Sequence, residues 1–345
     1  MPGHEIIVLG ASAGGVEALC RLVAVLPADL PAAVFVVLHV PANGKSVLPQ
    51  ILSRAGPVPA THARDGEPIK QGHVYIAPPD HHLLIHRGVI EVIRGPRENG
   101  HRPAVDPLFR TAAQSHGARV VGAVLSGALD DGTAGLVAIK ERGGVALVQD
   151  PLDALVDSMP RSALDHLAVD ACLSAEALGA ELARLARAPV SEPSPPVKSR
   201  MRQEVAAAEM DPHQLGRQDH PGTPSAFACP ECHGVLWEIH DGALVRYRCR
   251  VGHAYSPETM VADHSASVEG ALWAALRALE ENGALTGRMR DQATARGLNA
   301  AARRFAARAA AAYEHAEVLR RMLLQSPPRL SGEDQPDAVP YAADG

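Results

Sequence analysis

Aromatic side chains are scarce: Phe, Trp and Tyr make up 3% of 345 residues. Any core must be aliphatic and alanine-rich, and the basic-aromatic clustering that a nucleic-acid interface needs is missing. Positive charge is not in excess either. Lys and Arg number 33 against 39 Asp and Glu, a net charge of -6, so no basic field points to nucleic acid or an acidic membrane. No stretch approaches the ~20 apolar residues of a membrane span, and direct membrane insertion is not expected. The apolar run at residues 5–9 is too short for a signal peptide and lacks a positive segment before it. Cysteines are only five, too few and too unevenly placed for a disulfide framework. Cys20 and Cys172 stand alone in apolar segments and read as buried reduced thiols. The other three cluster near a histidine, which suggests a metal site in a reducing, cytoplasmic setting.

What is present begins with alternation. Short apolar runs at 5–9, 33–38, 73–76, 120–125, 145–148 and 168–171 are separated by helical patterns. In one of these, Val16, Leu19, Leu22, Val23 and Leu26 share a face. This predicts an α/β fold with a doubly wound, mainly parallel sheet over residues 1–187. Runs at 82–85 and 89–93 flank Arg87-Gly88 and predict an antiparallel hairpin at the sheet edge. Residues 188–226 read as a Pro-rich linker with a short helix near 201–209. A compact module follows at 227–262, then a helical hairpin at 263–325. Leu272, Leu276 and Leu279 mark its first helix; Phe305, Ala309, Ala312, Ala316, Leu319 and Leu323 mark its second. The tail, 326–345, reads as disordered.

The sharpest local signal is Gly10-Ala11-Ser12-Ala13-Gly14-Gly15, between a predicted strand and a predicted helix. Gly-x-Ser-x-Gly in that setting fits a nucleophile elbow, with Ala13 and Gly14 supplying backbone oxyanion donors. A dinucleotide turn would need glycine where Ser12 stands. His39 ends the second strand, and carboxyl ends of neighbouring parallel strands share one crevice. Asp130-Asp131 follows the strand at 120–125, so one can orient an imidazole while the other caps a helix. Gly44-Lys45-Ser46 imitates the end of a P-loop, but the required earlier glycine is His39.

Cys229-x-x-Cys232 and Cys249-x-x-x-His253 form two close ligand pairs sixteen residues apart. That spacing predicts a closed, structural zinc site in a zinc-ribbon-like module. Trp237, Ile239, Leu244, Val245 and Tyr247 around Asp241-Gly242 read as its hairpin. So short a segment buries little core, and a metal supplies the missing stability. With a linker between module and hydrolase, metal removal is expected to spare hydrolysis of a small ester.

Gly10 through Gly15, Leu38-His39-Val40-Pro41, His101-Arg102-Pro103-Ala104-Val105-Asp106, the stretch 125–135 and Met159-Pro160-Arg161 resemble, in order and spacing, the chemotaxis protein-glutamate methylesterase family, CheB. The resemblance covers about residues 5–185. It implies hydrolysis of glutamate γ-methyl esters on chemoreceptors, often with glutamine deamidation, and no cofactor for catalysis. Carried over by motif, Ser12 is the nucleophile, His39 the base and Asp131 the orienting acid, with His101 and Arg102 as substrate contacts. The family's usual threonine after the nucleophile is Ala13 here, and its methionine-glycine pair is Ala128-Leu129. The hydrolase pattern starts at residue 5, so an aspartate of the family's usual receiver domain is not the expected switch. Expected partners are methyl-accepting chemotaxis receptors or related signalling proteins, with the C-terminal helices free to dock or self-associate. The alternative is a non-catalytic regulatory module of the same fold; retention of Ser12, His39 and Asp131 together favours the enzyme.

Overall fold

Strands β1 (Ile6–Ala11) and β2 (Ala33–Leu38) are buried at all six positions each. Continuous apolar runs of this kind suit a parallel sheet covered on both faces. The computed structural model describes residues 3–190, 193–211 and 222–325. In it, β1 and β2 join β3 (Ala60–His62), β4 (His73–Ile76), β7 (Val120–Val124), β8 (Val145–Gln149) and β9 (Ala171–Leu173). The sheet order is β3-β4-β2-β1-β7-β8-β9, with every pair parallel. The chain winds outward from β1 through β2, then returns to place β7 on the other side of β1. This reversal opens a crevice at the carboxyl ends of β1, β2 and β7.

Successive β1 residues point to opposite faces. Ile7, Leu9 and Ala11 pack with Leu19 and Leu22 of α1 (Gly15–Ala24), Leu52 of α2 (Leu48–Ala55) and Leu178 of α6 (Ala175–Leu185). Ile6 and Val8 pack with Phe109 of α3 (Val105–His116), Ile139 of α4 (Thr133–Glu141) and Met159 of α5 (Ser158–His166).

Three placements differ from what the sequence suggests. The hairpin of β5 (His82–Ile85) and β6 (Ile90–Ile93) forms, but as a two-stranded sheet of its own. β5 is buried throughout and lies on α3, where Ile85 N–H donates to Thr111 Oγ1 at 3.1 Å. Cys172 is exposed, because β9 is a three-residue strand at the sheet's edge. The stretch read as a linker lies partly on the body. Ala118 N–H donates to Ser194 Oγ at 2.8 Å, and α7 (Ser199–Ala208) buries Met201 in the core shared with α3. Pro212 and Pro221 of that stretch lie outside the described residues.

The Cys/His module is a four-stranded antiparallel sheet of β10 (Thr223–Ala228), β11 (Val235–Asp241), β12 (Leu244–Cys249) and β13 (Ala254–Tyr255). Residues up to Met260 form one compact unit, so the module belongs to the same body as the α/β sheet; a second unit begins at Val261. Helices α8 (Pro257–Ala295) and α9 (Asn299–Gln325) make up the hairpin. Ala302, Ala309 and Ala316 are buried at seven-residue spacing, a coiled-coil seam of small residues. Arg320 pairs with Glu280 across that seam. No helix among the described residues is long and apolar enough to cross a membrane. The tail expected to be disordered, 326–345, lies outside the described residues.

Candidate active site

Ser12 follows β1 directly, and its backbone N–H donates to Ser126 O at 2.9 Å. The turn into α1 depends on Gly14 in the left-handed region, φ 72°. A Cβ there would also meet Leu155 Cβ and Ser126 Oγ at 2.6 Å. In the parallel register Ala11 pairs with Leu38, so Ser12 and His39 leave adjacent strands at the same level. Parallel strands lie about 4.8 Å apart, and His39 N–H donates to Ala11 O at 3.1 Å. Both side chains are buried, at 4% and 5% exposure.

His39 Nε2 bonds Asp131 Oδ2 at 2.8 Å. Its Nδ1 is buried and has no hydrogen-bond partner. The ring is thus anchored at one nitrogen and open at the other, and Ser12 stands at the same level on the adjacent strand end. His101 stacks on the same ring, centroids 3.7 Å apart and planes 16° from parallel. Burial, then the neighbouring His39, holds the His101 imidazole down at about 3, so it is neutral at physiological pH.

Asp131 sits at the N-terminus of α3, a natural anion site. Oδ2 accepts from Val105 N–H at 2.7 Å; Oδ1 accepts from Asp106 N–H at 3.2 Å and Asn99 Nδ2 at 3.0 Å. Burial alone would raise this carboxyl. The His39 hydrogen bond and charge, with the Val105 N–H, outweigh burial and hold it at about 2. Its two acidic neighbours go the other way. Burial, then the Asp131 charge, pushes Asp106 up to about 7. Burial pushes Asp130 up to about 8 against an opposing hydrogen bond from Ser256. One charge is therefore concentrated on the carboxylate that touches the imidazole, a division typical of catalytic carboxyl groups.

The backbone N–H groups of Ala13 and Gly14 take no acceptor among the described residues and precede the first turn of α1. The N–H of Gly127 donates to Val156 O at 2.9 Å, so that one group is engaged. Leu129, where the family's glycine would stand, lies at φ 62°. That left-handed conformation costs an L-residue roughly 1–2 kcal/mol.

Arg102 is the site residue the structure relocates. Its Nε and Nη2 donate to Asp80 Oδ1 at 2.8 and 2.6 Å, and its Nη1 to Gly95 O at 2.8 Å. The guanidinium clamps a loop through three of its five N–H groups. Asn99 and Asp106 are site residues that sequence reasoning missed. Asn99-Gly100 reads as an ordinary turn, and only the fold carries it to Asp131.

The four expected ligands do converge. The donor atoms of Cys229, Cys232, Cys249 and His253 lie within 4.8 Å of one another. His253 Nδ1 is 3.6 Å from Cys229 Sγ and 3.5 Å from Cys249 Sγ, and the Cys232 and Cys249 sulfurs are 3.6 Å apart. Tetrahedral zinc bonds imply an S···N separation of about 3.6 Å and an S···S separation of about 3.8 Å, so the donor set fits. His253 Nε2 pairs with Glu231 Oε2 at 3.1 Å, the outer carboxylate that metal-binding histidines commonly keep.

Comparison with known proteins bears on the α/β domain. Residues 7–182 match the family model described as CheB methylesterase. A Leptospira interrogans relative is 39% identical over 183 residues, 53% of this chain and 95% of that protein. Protein-glutamate methylesterase/protein-glutamine glutaminase 6 of Anaeromyxobacter dehalogenans is 40% identical over 197 residues, 54% of this chain and 56% of its own length. The similarly named enzyme 2 of Pseudomonas aeruginosa is 38% identical over 183 residues, 52% of each chain. The chain thus spans about half the length of these two. The crystal structure of the Thermotoga maritima CheB methylesterase catalytic domain superposes with a TM-score of 0.51 at 32% identity, over 54% of this chain and all of that domain. Through residues 7–182, this chain belongs to the CheB methylesterase family.

Proposed function

We propose that this chain is a serine hydrolase that removes γ-methyl esters from protein glutamates and deamidates glutamine, acting on chemoreceptors or related signalling proteins in the cytoplasm. The observation that carries the reading is the His39 imidazole, bonded to Asp131 through Nε2 and left with a buried, unpartnered Nδ1, at the same level as Ser12 on the adjacent strand end. A buried nitrogen without a partner costs free energy. A module that only bound receptor would have no use for it; a general base needs it. The names of the Anaeromyxobacter and Pseudomonas relatives support the substrate class.

In this reading His39 Nδ1 takes the Ser12 proton as Oγ attacks the ester carbonyl. Ala13 and Gly14 N–H groups hold the oxyanion at the start of α1. Asp131 stays ionised, fixes the proton on Nε2 and stabilises the imidazolium. Methanol leaves with the proton returned by His39, and a water then repeats the attack on the acyl-enzyme. His101 keeps one face of the base dry and, being neutral, adds no repelling charge.

The Cys/His cluster is proposed to hold one zinc as a structural ion. Catalysis itself calls on no cofactor. The test is methanol release from methylated receptor by the purified chain, with Ser12→Ala as control. Equal release by that variant would sink the reading.

A further inference from the structure

The Cys/His module does not merely adjoin the hydrolase; it is wired to the catalytic carboxylate. Residues 97–99 run beside β13: Ala254 N–H donates to Arg97 O at 3.3 Å and Asn99 N–H to Ala254 O at 2.7 Å. Beneath this bridge, Arg248 Nη2 pairs with Glu98 at 2.9 Å, where Arg110 of α3 also binds at 2.7 Å. Ser256 caps α8, exchanging hydrogen bonds with Thr259 at 2.9 and 3.0 Å, and its Oγ donates to Asp130 Oδ1 at 2.8 Å. Each of these module residues lies within seven positions of Cys249 or His253.

Asn99 is the point where the two halves meet. It is buried, 6% exposed, with φ 52°. Its Oδ1 accepts from Ser256 N–H at 3.1 Å, and its Nδ2 donates to both Asp131 Oδ1 at 3.0 Å and Asp106 Oδ2 at 3.1 Å. The amide's orientation is fixed from both ends. Two carboxyl oxygens demand the NH2 on one side, and a backbone N–H demands the oxygen on the other. Thr259 Oγ1 also donates to that oxygen, at 3.4 Å; displace the 256–259 cap and the amide loses the donors that hold its oxygen away from Asp131. A rotated amide would then set an acceptor against the carboxylate that orients His39.

We infer that Asn99 is a positioning residue through which metal occupancy of the Cys229, Cys232, Cys249 and His253 site sets the turnover of the Ser12 centre. The inference rests on the proposed triad and on the proposed metal site. It replaces the expectation, drawn from sequence, that the metal and small-ester hydrolysis are independent. In the body of residues up to Met260, a short relay of hydrogen bonds starts three residues after His253 and ends on the triad: Ser256 to Asn99, Asn99 to Asp131, Asp131 to His39.

The test uses the full chain and a small chromogenic ester, which is too small to touch the module. Asn99→Ala should lower kcat roughly ten- to a hundred-fold with little change in KM, the range expected of a misplaced catalytic group. Stripping the metal with a chelator should lower wild-type kcat by a similar factor, and added zinc should restore it. In Asn99→Ala the chelator should have little further effect, because both changes break one relay. A second readout is independent of turnover: the low-field proton NMR signal of the His39 Nε2–H bonded to Asp131. It should shift or broaden on chelation and in Asn99→Ala, and return with zinc only in the wild type. The inference is overturned if chelation lowers kcat equally in both proteins, if the His39 signal ignores the metal, or if the purified chain holds no metal. Ser12→Ala separates the two readings. Retained ester hydrolysis there would remove the triad, while the His39 signal would still report on the relay.

Discussion

Two parts of one compact body obtain their order differently. In the α/β sheet, every residue of β1, β2 and β7 is buried, and two apolar layers cover the faces. In the Cys/His module, β10 has no buried residue, and the buried cluster is Cys229, Leu236, Tyr247, Cys249, Tyr255 and Met260. Two of those six are ligands of the proposed metal. Burial at about 25 cal/mol per Å² can carry the first region; the second has too little apolar surface to do so. The contrast teaches where control can be placed. A region held by a handful of coordinate bonds is switched by one ion, whereas a sheet core is not. Catalysis sits on the rigid side of that boundary, and the group that orients its carboxylate, Asn99, sits on the line.

The largest effect that can break this comparison is metal removal. Zinc binding in small metal-dependent domains is worth about 10–16 kcal/mol near neutral pH. Chelation, or Cys249→Ser, should therefore open residues 223–256 to amide hydrogen exchange. β1, β2 and β7 should stay protected, since Glu98 keeps Arg110 even when Arg248 is lost. Loss of protection across the sheet as well would mean that the two regions fold as one.

Next in size is Ser12→Ala. Removing the serine of a triad costs on the order of a millionfold in kcat, about 8 kcal/mol of transition-state stabilisation. Ester hydrolysis should vanish while the melting temperature and metal content stay put. A variant that keeps half its rate would place the nucleophile elsewhere.

Much of this was legible in the residues. Ser12 and His39 could be paired because both end apolar runs, and a parallel sheet brings such ends together. The four ligands could be paired because knuckle spacing is local. What could not be read depended on contacts far apart in sequence. Asn99 meets Asp131 across 32 residues and Ser256 across 157, and nothing in Asn99-Gly100 marks it as more than a turn. Arg102 read as a substrate contact because an arginine near an active-site motif is an obvious candidate, yet Asp80 claims it. The segment at 188–226 read as a linker because its prolines mask the amphipathic face that buries Met201 and Val205. Polar composition reports solvation on average, not which few side chains find a groove.

A third prediction sharpens the contrast from the other side. Phe35 is fully buried in β2 and stacks on Tyr75, centroids 5.2 Å apart. Phe35→Ala should cost about 3–5 kcal/mol, read by denaturant titration, and zinc should not restore it. Recovery of most of that loss by added metal would show the sheet drawing its stability from the module.

The smallest expected effect lies where the regions touch. Asp130, pushed up to about 8 by burial, receives the Ser256 hydroxyl of the module. Asp106, at about 7, behaves alike. For such groups the folded state binds the proton more tightly than the unfolded chain, whose Asp titrates at about 3.9. Their contribution is fully present below that pH and is lost as pH rises through 7 to 8. Asp131 has the opposite sign: held at about 2, it contributes above about pH 4 and fails only in strong acid. The wild type should therefore lose stability between pH 6 and 9. Asp130→Asn cannot lose a proton and still offers Ser256 an oxygen acceptor. Relative to its value at pH 6, its stability at pH 9 should exceed that of the wild type by roughly 2–3 kcal/mol, since about two tenfold losses of proton binding are avoided and each is worth about 1.4 kcal/mol. Thermal melts at both pH values measure the difference. Parallel pH dependence in the two proteins would mean that Asp130 is already ionised beside Ser256, and that the charge at this junction is shared between Asp130 and Asp131 instead of being gathered on Asp131.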